Sequence, residues 1–346
     1  MCVNRIIVAA IISAAAMVPA KAETTVTFMG YPGLFETLYS KSVFDPFMKA
    51  HPEIKIKYYA AGDSAHILGI LGTQKNAPQA DLALLDVTVS KAGTDDGLFT
   101  PIDATVTPHY NDLYAAAKVS GVAGVGLTFD SSTILYNKHA FTTPPTSIKV
   151  FKEGGPKRRV GLNPAPNILG VGLTIIAERA AGGKDWNHNV DKGISELQTI
   201  APNVLTWDPK PDVNNVILSG QVDLSFGFNA RAQYYSLQPN SNLAAAAPEE
   251  GVIFQINTIN LVKNAPQEKA ARKVLDYMLS PAAQKAFAEA MYYAPTNSKT
   301  QVSQETMNRT VAGFMDRVID VDWLEVAKLR ENIARDWRRK IIPLSK

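Results

Sequence analysis

The chain has 346 residues, 46% of them hydrophobic and 19% charged, and a formal charge of +3 at neutral pH. This is the balance of ordinary folded material and excludes a low-complexity or extensively disordered chain. Near-neutrality also argues against a nucleic-acid partner, which would need clustered Lys and Arg. The runs Lys157-Arg158-Arg159 and Arg338-Arg339-Lys340 are short and read as solvated faces.

Arg5 precedes an apolar run from Ile6 to Met17, and Ala20-Lys21-Ala22 follows it. Together they have the layout of an export signal cleaved after Ala22. The run is shorter than the roughly 20 apolar residues that span a bilayer. A water-soluble mature chain starting at residue 23 is therefore expected. Its length suits two lobes better than one core. The sole cysteine, Cys2, leaves with the signal and sits too early for a lipid-anchored cysteine. The mature chain then has no disulfide, thiol nucleophile or thiolate metal site.

Downstream, short apolar strands alternate with helical patterns, which predicts an α/β fold with mainly parallel sheets. Residues 25–29 read as a strand broken by Gly30-Tyr31-Pro32-Gly33, then a helix runs from about Phe35 to His51. Ile54–Tyr58 alternates strictly, Asp63 or Ser64 caps a helix through Leu71, and Asp81–Leu85 is a buried strand. Open α/β sheets bind ligands at the carboxyl ends of such strands. Residues 128–133 are read as a first crossing between lobes. The pattern then repeats, with a strand at Arg159–Leu162, helices at Gly170–Ala181 and Val190–Ile200, and a strand at Val222–Gly227. Val252–Val262 reads as the return crossing, followed by helices at Gln267–Leu279 and Pro281–Met291. Trp323, Val326, Leu329, Ile333 and Trp337 recur at helical spacing and predict a tail helix laying one apolar stripe on the body. The expected division is residues 23–129 with 255–301 in one lobe, 130–254 in the other, and 302–346 as a helical tail.

Catalytic signatures are missing. There is no Gly-x-Ser-x-Gly elbow, Walker loop or His-Glu-x-x-His, and the five histidines are scattered. Gly170-Val171-Gly172 lacks the third glycine of a dinucleotide loop and reads as close helix packing. A binding protein with no cofactor is expected rather than an enzyme.

Four stretches carry a resemblance. They are Val43-Phe44-Asp45-Pro46-Phe47 with Pro52-Glu53-Ile54-Lys55, then Ala80-Asp81-Leu82 through Gly97-Leu98-Phe99-Thr100-Pro101-Ile102-Asp103, then residues 220–229, and finally Tyr293-Ala294-Pro295-Thr296-Asn297. In order and spacing the chain resembles periplasmic substrate-binding proteins of bacterial ABC importers, in the spermidine/putrescine-binding group. The resemblance implies a monomer of two hinged α/β lobes that close on a small ligand and present it to a membrane permease.

It also implies cleft positions. Tyr31 matches a covering aromatic, Asp86 a ligand-contacting polar residue, Phe228 an aromatic wall and Tyr293 a cleft tyrosine. Asn257 stands where polyamine binders carry an aspartate, and Gln255 replaces an aromatic. Asn163-Pro164-Ala165-Pro166-Asn167 lacks the acids expected in the second lobe, leaving Asp86 as the one acid placed in the cleft. Arg231 stands at a position usually small and neutral. In the first turn of a helix starting near Asn229, its guanidinium beside free backbone N–H groups would suit a carboxylate or phosphonate. Arg231 pointing to solvent or pairing with Asp223 is the plainer alternative. One acid and one arginine suit a zwitterion such as a γ-amino acid or an opine. A polyamine is the alternative, and a ferric ion held by Tyr234-Tyr235 and Tyr292-Tyr293 is a third.

Overall fold

The structure, a computed structural model, describes residues 23–153 and 159–345. The expected export signal lies outside these residues, as do Lys157 and Arg158. Thr24–Gly30 forms strand β1, and Gly33, with φ at 75°, makes the turn that leads out of it. That left-handed conformation suits glycine, which has no Cβ to clash. The expected first helix is helical throughout but in three pieces: Leu34–Tyr39 (α1), a π turn at Ser40–Phe44, and Asp45–Ala50 (α2). The π turn inserts a residue, and Phe35, Tyr39, Val43, Phe44 and Phe47 all stay buried. Ile54–Ala60 (β2) then pairs with β1 in parallel.

Asp63 caps Ser64–Thr73 (α3), its carboxylate accepting from the His66 amide at 2.9 Å. Leu82–Asp86 (β3) lies parallel to β1 and runs directly into Val87–Asp95 (α4), followed by the short Phe99–Thr100 (β4). The first crossing is Val125–Asn137 (β5), a single strand of 13 residues, buried along nearly all its length. Beyond it come Val150–Glu153 (α5), Val160–Gly161 (β6), Ile168–Ala180 (α6), Asp191–Ile200 (α7), Val204–Thr206 (β7), Asn215–Leu218 (α8), Leu224–Phe228 (β8), Asn229–Ser236 (α9) and Leu243–Ala246 (β9). β6 pairs in parallel with both β7 and β8. The return crossing is Val252–Val262 (β10), then Glu268–Met278 (α10), Pro281–Met291 (α11) and Ala294–Pro295 (β11). Ser280 caps α11 with Pro281 at its first position, where a missing N–H costs nothing.

The strand order is β2-β1-β3-β10-β5-β8-β6-β7. The outer parts are parallel, as expected for α/β layering. At the centre β10 is antiparallel to both β3 and β5, and β5 is antiparallel to β8. Two large cores lie on either side of this junction. One joins Phe28, Leu84, Leu127 and Ile259 to Leu275 and Phe287; the other joins Ile134, Leu173, Leu197 and Phe226 to Ile333 and Trp337.

The tail comprises Gln304–Arg309 (α12), Val318–Ile319 (β12) and Trp323–Asp336 (α13), which a further π turn extends to Ile341. β12 pairs with the start of β10, and α13 lays Val326 and Ile333 into the second core. Gly170 and Gly172 sit in close packing: a Cβ on Gly170 would come 2.2 Å from the Ala165 nitrogen.

Trp337 is fully buried, donates its indole N–H to Thr174 Oγ1 at 2.9 Å and packs edge-on against Trp207. Trp337→Ala should destabilise the fold by about 3–5 kcal/mol. Urea unfolding followed by circular dichroism checks this, and a loss well under 1 kcal/mol would show that the tail is dispensable.

Candidate functional site

Tyr31, Asp86 and Phe228 stand at or just beyond the carboxyl ends of β1, β3 and β8. The register of the central strands assembles the rest. Asn257 on β10 lies opposite Asp86 on one side and Thr128 on the other, and Gln255 lies opposite Asp130. Directly opposed residues in antiparallel strands project from the same face. Asp86, Asn257, Thr128, Gln255 and Asp130 therefore form one polar row across three strands. On the other side of β5, β11 pairs Ala294 with Phe129, which brings Tyr293 alongside Asp130.

Hydrogen bonds tie the row together. Asn257 Nδ2 donates to Thr128 Oγ1 at 3.1 Å, and its Oδ1 accepts from the Tyr31 hydroxyl at 3.4 Å. The Tyr31 and Ser64 hydroxyls are 2.7 Å apart, and Ser64 Oγ accepts from the Asp86 amide at 2.9 Å. Tyr58 donates to the Tyr31 carbonyl at 2.6 Å. An aromatic wall backs the site: Phe35 meets both Tyr31 and Tyr293 edge-on at 5.8 Å, and Phe287 stacks on Tyr293 at 5.4 Å. These rings fix the faces that line the site before any ligand arrives.

Asp86 is partly committed. Its Oδ1 accepts from the Thr88 and Val89 amides and the Thr88 hydroxyl, at 3.1, 3.1 and 2.6 Å, capping α4. Burial and then the Asp86 charge push the Tyr31 hydroxyl well above its ordinary pKa, so it stays a neutral donor. Arg231 occupies the first turn of α9 and makes no ion pair among the described residues. The alternative partner Asp223 is taken by Arg159, at 3.1 and 3.2 Å. The Arg231 charge acts instead on Asp130, Tyr293 and Tyr235. Phe228 is half-buried and leans on the second core, and Gln255 is half-buried on β10. The structure thus joins Tyr31 directly to Asn257 and, through Ser64, to the Asp86 amide, and it groups Arg231 with Tyr293. No ring contact joins Phe228 to Tyr31 or Tyr293 among the described residues.

Burial foremost raises the hydroxyls of Tyr235, Tyr292 and Tyr293, which opposes the tyrosinate form a hard metal needs. Among the described residues no group of three or more His, Cys, Asp or Glu is placed to hold a metal. A depression of about 210 Å³ bordered by Leu71, Lys75 and Lys263 lies beyond the far end of β10 and is separate from this row.

A family model of bacterial extracellular solute-binding proteins matches residues 42–311. The chain belongs to that family. This solute-binding protein is 24% identical over 301 residues to the thiamine-binding periplasmic protein of Escherichia coli K12, covering 83% of this chain and 84% of the relative. It is 23% identical over 155 residues to the spermidine/putrescine-binding periplasmic protein of the same organism, covering 44% of each chain. A solved structure of a GABA receptor superposes with a TM-score of 0.75 at 18% identity, covering 91% of this chain and 97% of that one. The family resemblance and the two-lobed α/β fold read from the sequence are both upheld. No helix among the described residues is long and apolar enough to cross a membrane.

The sequence reading missed a second acid. Asp130 is 2% exposed, at the middle of the crossing strand of the solute-binding protein. Its Oδ1 accepts from the Ala230 amide at 3.0 Å and the Ser131 amide at 2.8 Å, while Oδ2 is buried without a partner among the described residues. Asp86 is therefore not the one acid in the polar row. The signal was present in Phe129-Asp130-Ser131, an acid inside an otherwise buried strand.

Burial pushes the Asp130 carboxyl up to about 7, against the two amide bonds and Arg231. A folded-state pKa above the unfolded value gives stability that is complete below the unfolded pKa of 3.8 and lost as pH rises through about 7. Asp130→Asn should raise the melting temperature relative to wild type at pH 8, by up to about 4 kcal/mol in stability. The gain should vanish near pH 4. Calorimetry across that range checks it; a difference independent of pH would show that Asp130 does not titrate there.

Proposed function

We propose that this solute-binding protein is exported to the periplasm and works as a monomer without catalysis. It captures a small zwitterion, a γ-amino acid or opine, between its lobes and delivers it to the membrane permease of an ABC importer. The observation that carries this reading is the unpaired Arg231 in the first turn of α9, on the side of Tyr293 and the acid-bearing row. A guanidinium beside a helix N-terminus favours a carboxylate. An acid of the polar row, Asp86 on the sequence reading, supplies the opposite charge for an ammonium, and Tyr31, Phe228, Gln255, Asn257 and Tyr293 line the carbon chain. The likeness to a GABA receptor supports the same ligand class. Lobes of 23–129 with 255–301 and of 130–254 would hinge about β5 and β10. A ligand that touches both lobes makes its full set of contacts only in the closed form and so shifts the population toward closure.

One observation favours a polyamine as second reading. Asp86 and Asp130 share a face, two strands and two residues apart, which sheet geometry sets at about 12 Å. Two acids so spaced suit a ligand with two cationic ends.

A thermal-shift series with γ-aminobutyrate, octopine, putrescine, spermidine, thiamine and ferric citrate separates the readings. Stabilisation by a zwitterion is expected; a large shift with spermidine and none with any carboxylate would instead support the polyamine. Arg231→Ala should weaken carboxylate binding by about 2–5 kcal/mol. Unchanged affinity would remove Arg231 from the site.

A further inference from the structure

We propose that Asp130, at the crossing between the lobes, receives the ammonium group of the ligand; this rests on the reading that the site takes an amine-bearing solute. Two observations lead to it. The Asp130 carboxylate is half satisfied: Oδ1 holds two amide bonds and Oδ2 has none, although the side chain is 2% exposed. A buried carboxylate oxygen without a donor is costly, and a cation is its most effective complement. Asp86, by contrast, already spends Oδ1 on three donors at the start of α4.

The surroundings fit this role. Gln255 lies opposite Asp130 on β10, Tyr293 lies alongside it beyond β11, and Arg231 projects from the first turn of α9. Arg231 and Tyr293 are the charged and titratable groups that act on Asp130, from the second lobe and from the segment after α11. Arg231 makes no ion pair with Asp130, so the carboxylate is left for another cation and the guanidinium for an anion. A short zwitterion then finds both partners near one end of the polar row.

The location links binding to closure. Asp130 Oδ1 holds the Ala230 amide, and the side chain of Asn229, the preceding residue, donates to the Arg309 carbonyl at 2.7 Å. Arg309 in turn donates to Gln233 Oε1 at 3.1 Å. An ammonium on Oδ2 keeps Asp130 ionised, and an ionised acceptor strengthens its bond to Ala230. Ligand charge is thus transmitted to the start of α9, which carries Arg231.

Carbon-13 titration of the Asp130 and Asp86 carboxyls in the full mature chain tests the proposal, with and without γ-aminobutyrate, putrescine and n-butylammonium. At least one amine should lower the Asp130 midpoint by about one pH unit or more, because a nearby cation favours the ionised form. An Asp86 midpoint that moves while Asp130 stays fixed overturns the proposal and leaves the zwitterion reading standing. If no amine moves Asp130, the proposal is equally overturned, and the Arg231 variant still judges the anionic end on its own. Asp130→Asn should also weaken binding of the active amine about tenfold or more, a loss that its folded melting curve separates from misfolding.

Discussion

The antiparallel pairing of β5 with β10 is the constraint on which the rest depends. These are the two long strands that pass between the cores, and they pair from Val125 to Ser131 on one and Phe254 to Ile259 on the other. Every residue of the polar row is either on these strands or opposed to them. The same ladder that joins the two cores therefore also sets the spacing of the groups in that row. A polar row in the middle of a buried sheet is tolerated where its groups are bonded, as Asn257 is to Thr128 and Tyr31, and Asp86 to the Thr88 and Val89 amides. Among the described residues Asp130 Oδ2 is buried without a partner, as is the Ser131 hydroxyl beside it.

Much of the fold was legible because each element obeys a local rule. Alternation at Ile54–Tyr58, the Asp63 cap, Pro281 at a helix start and the stripe from Trp323 to Trp337 all reappear as structure. Sheet direction at the centre was less legible. Apolar runs look alike whether they pair in parallel or antiparallel, so the antiparallel crossings had no signature beyond their length. The π turn at Ser40–Phe44 was hidden for a related reason, since one inserted residue leaves the apolar pattern helical to the eye.

The site was legible at strand ends and obscure along strand middles. Tyr31, Asp86 and Arg231 could be nominated as candidates because each follows a strand or opens a helix. Asp130 could not be weighed in the same way, because its meaning comes from three segments distant in sequence: Ala230, Gln255 and Tyr293. Arg159 shows the complementary case. It reads as the end of a basic run, yet it holds Asp223 and so leaves Arg231 without that partner.

The tail has a consequence for how the polypeptide comes into being. The first core needs Phe254, Leu275 and Phe287 beside Phe28 and Leu84, and the second needs Ile333, Trp337 and Ile341 beside Ile134 and Phe226. A nascent chain emerging amino-terminus first can complete neither half until nearly all of it has been synthesised. Contacts this far apart in sequence close slowly. Until that last segment is available, both halves of the molecule stay incompletely packed.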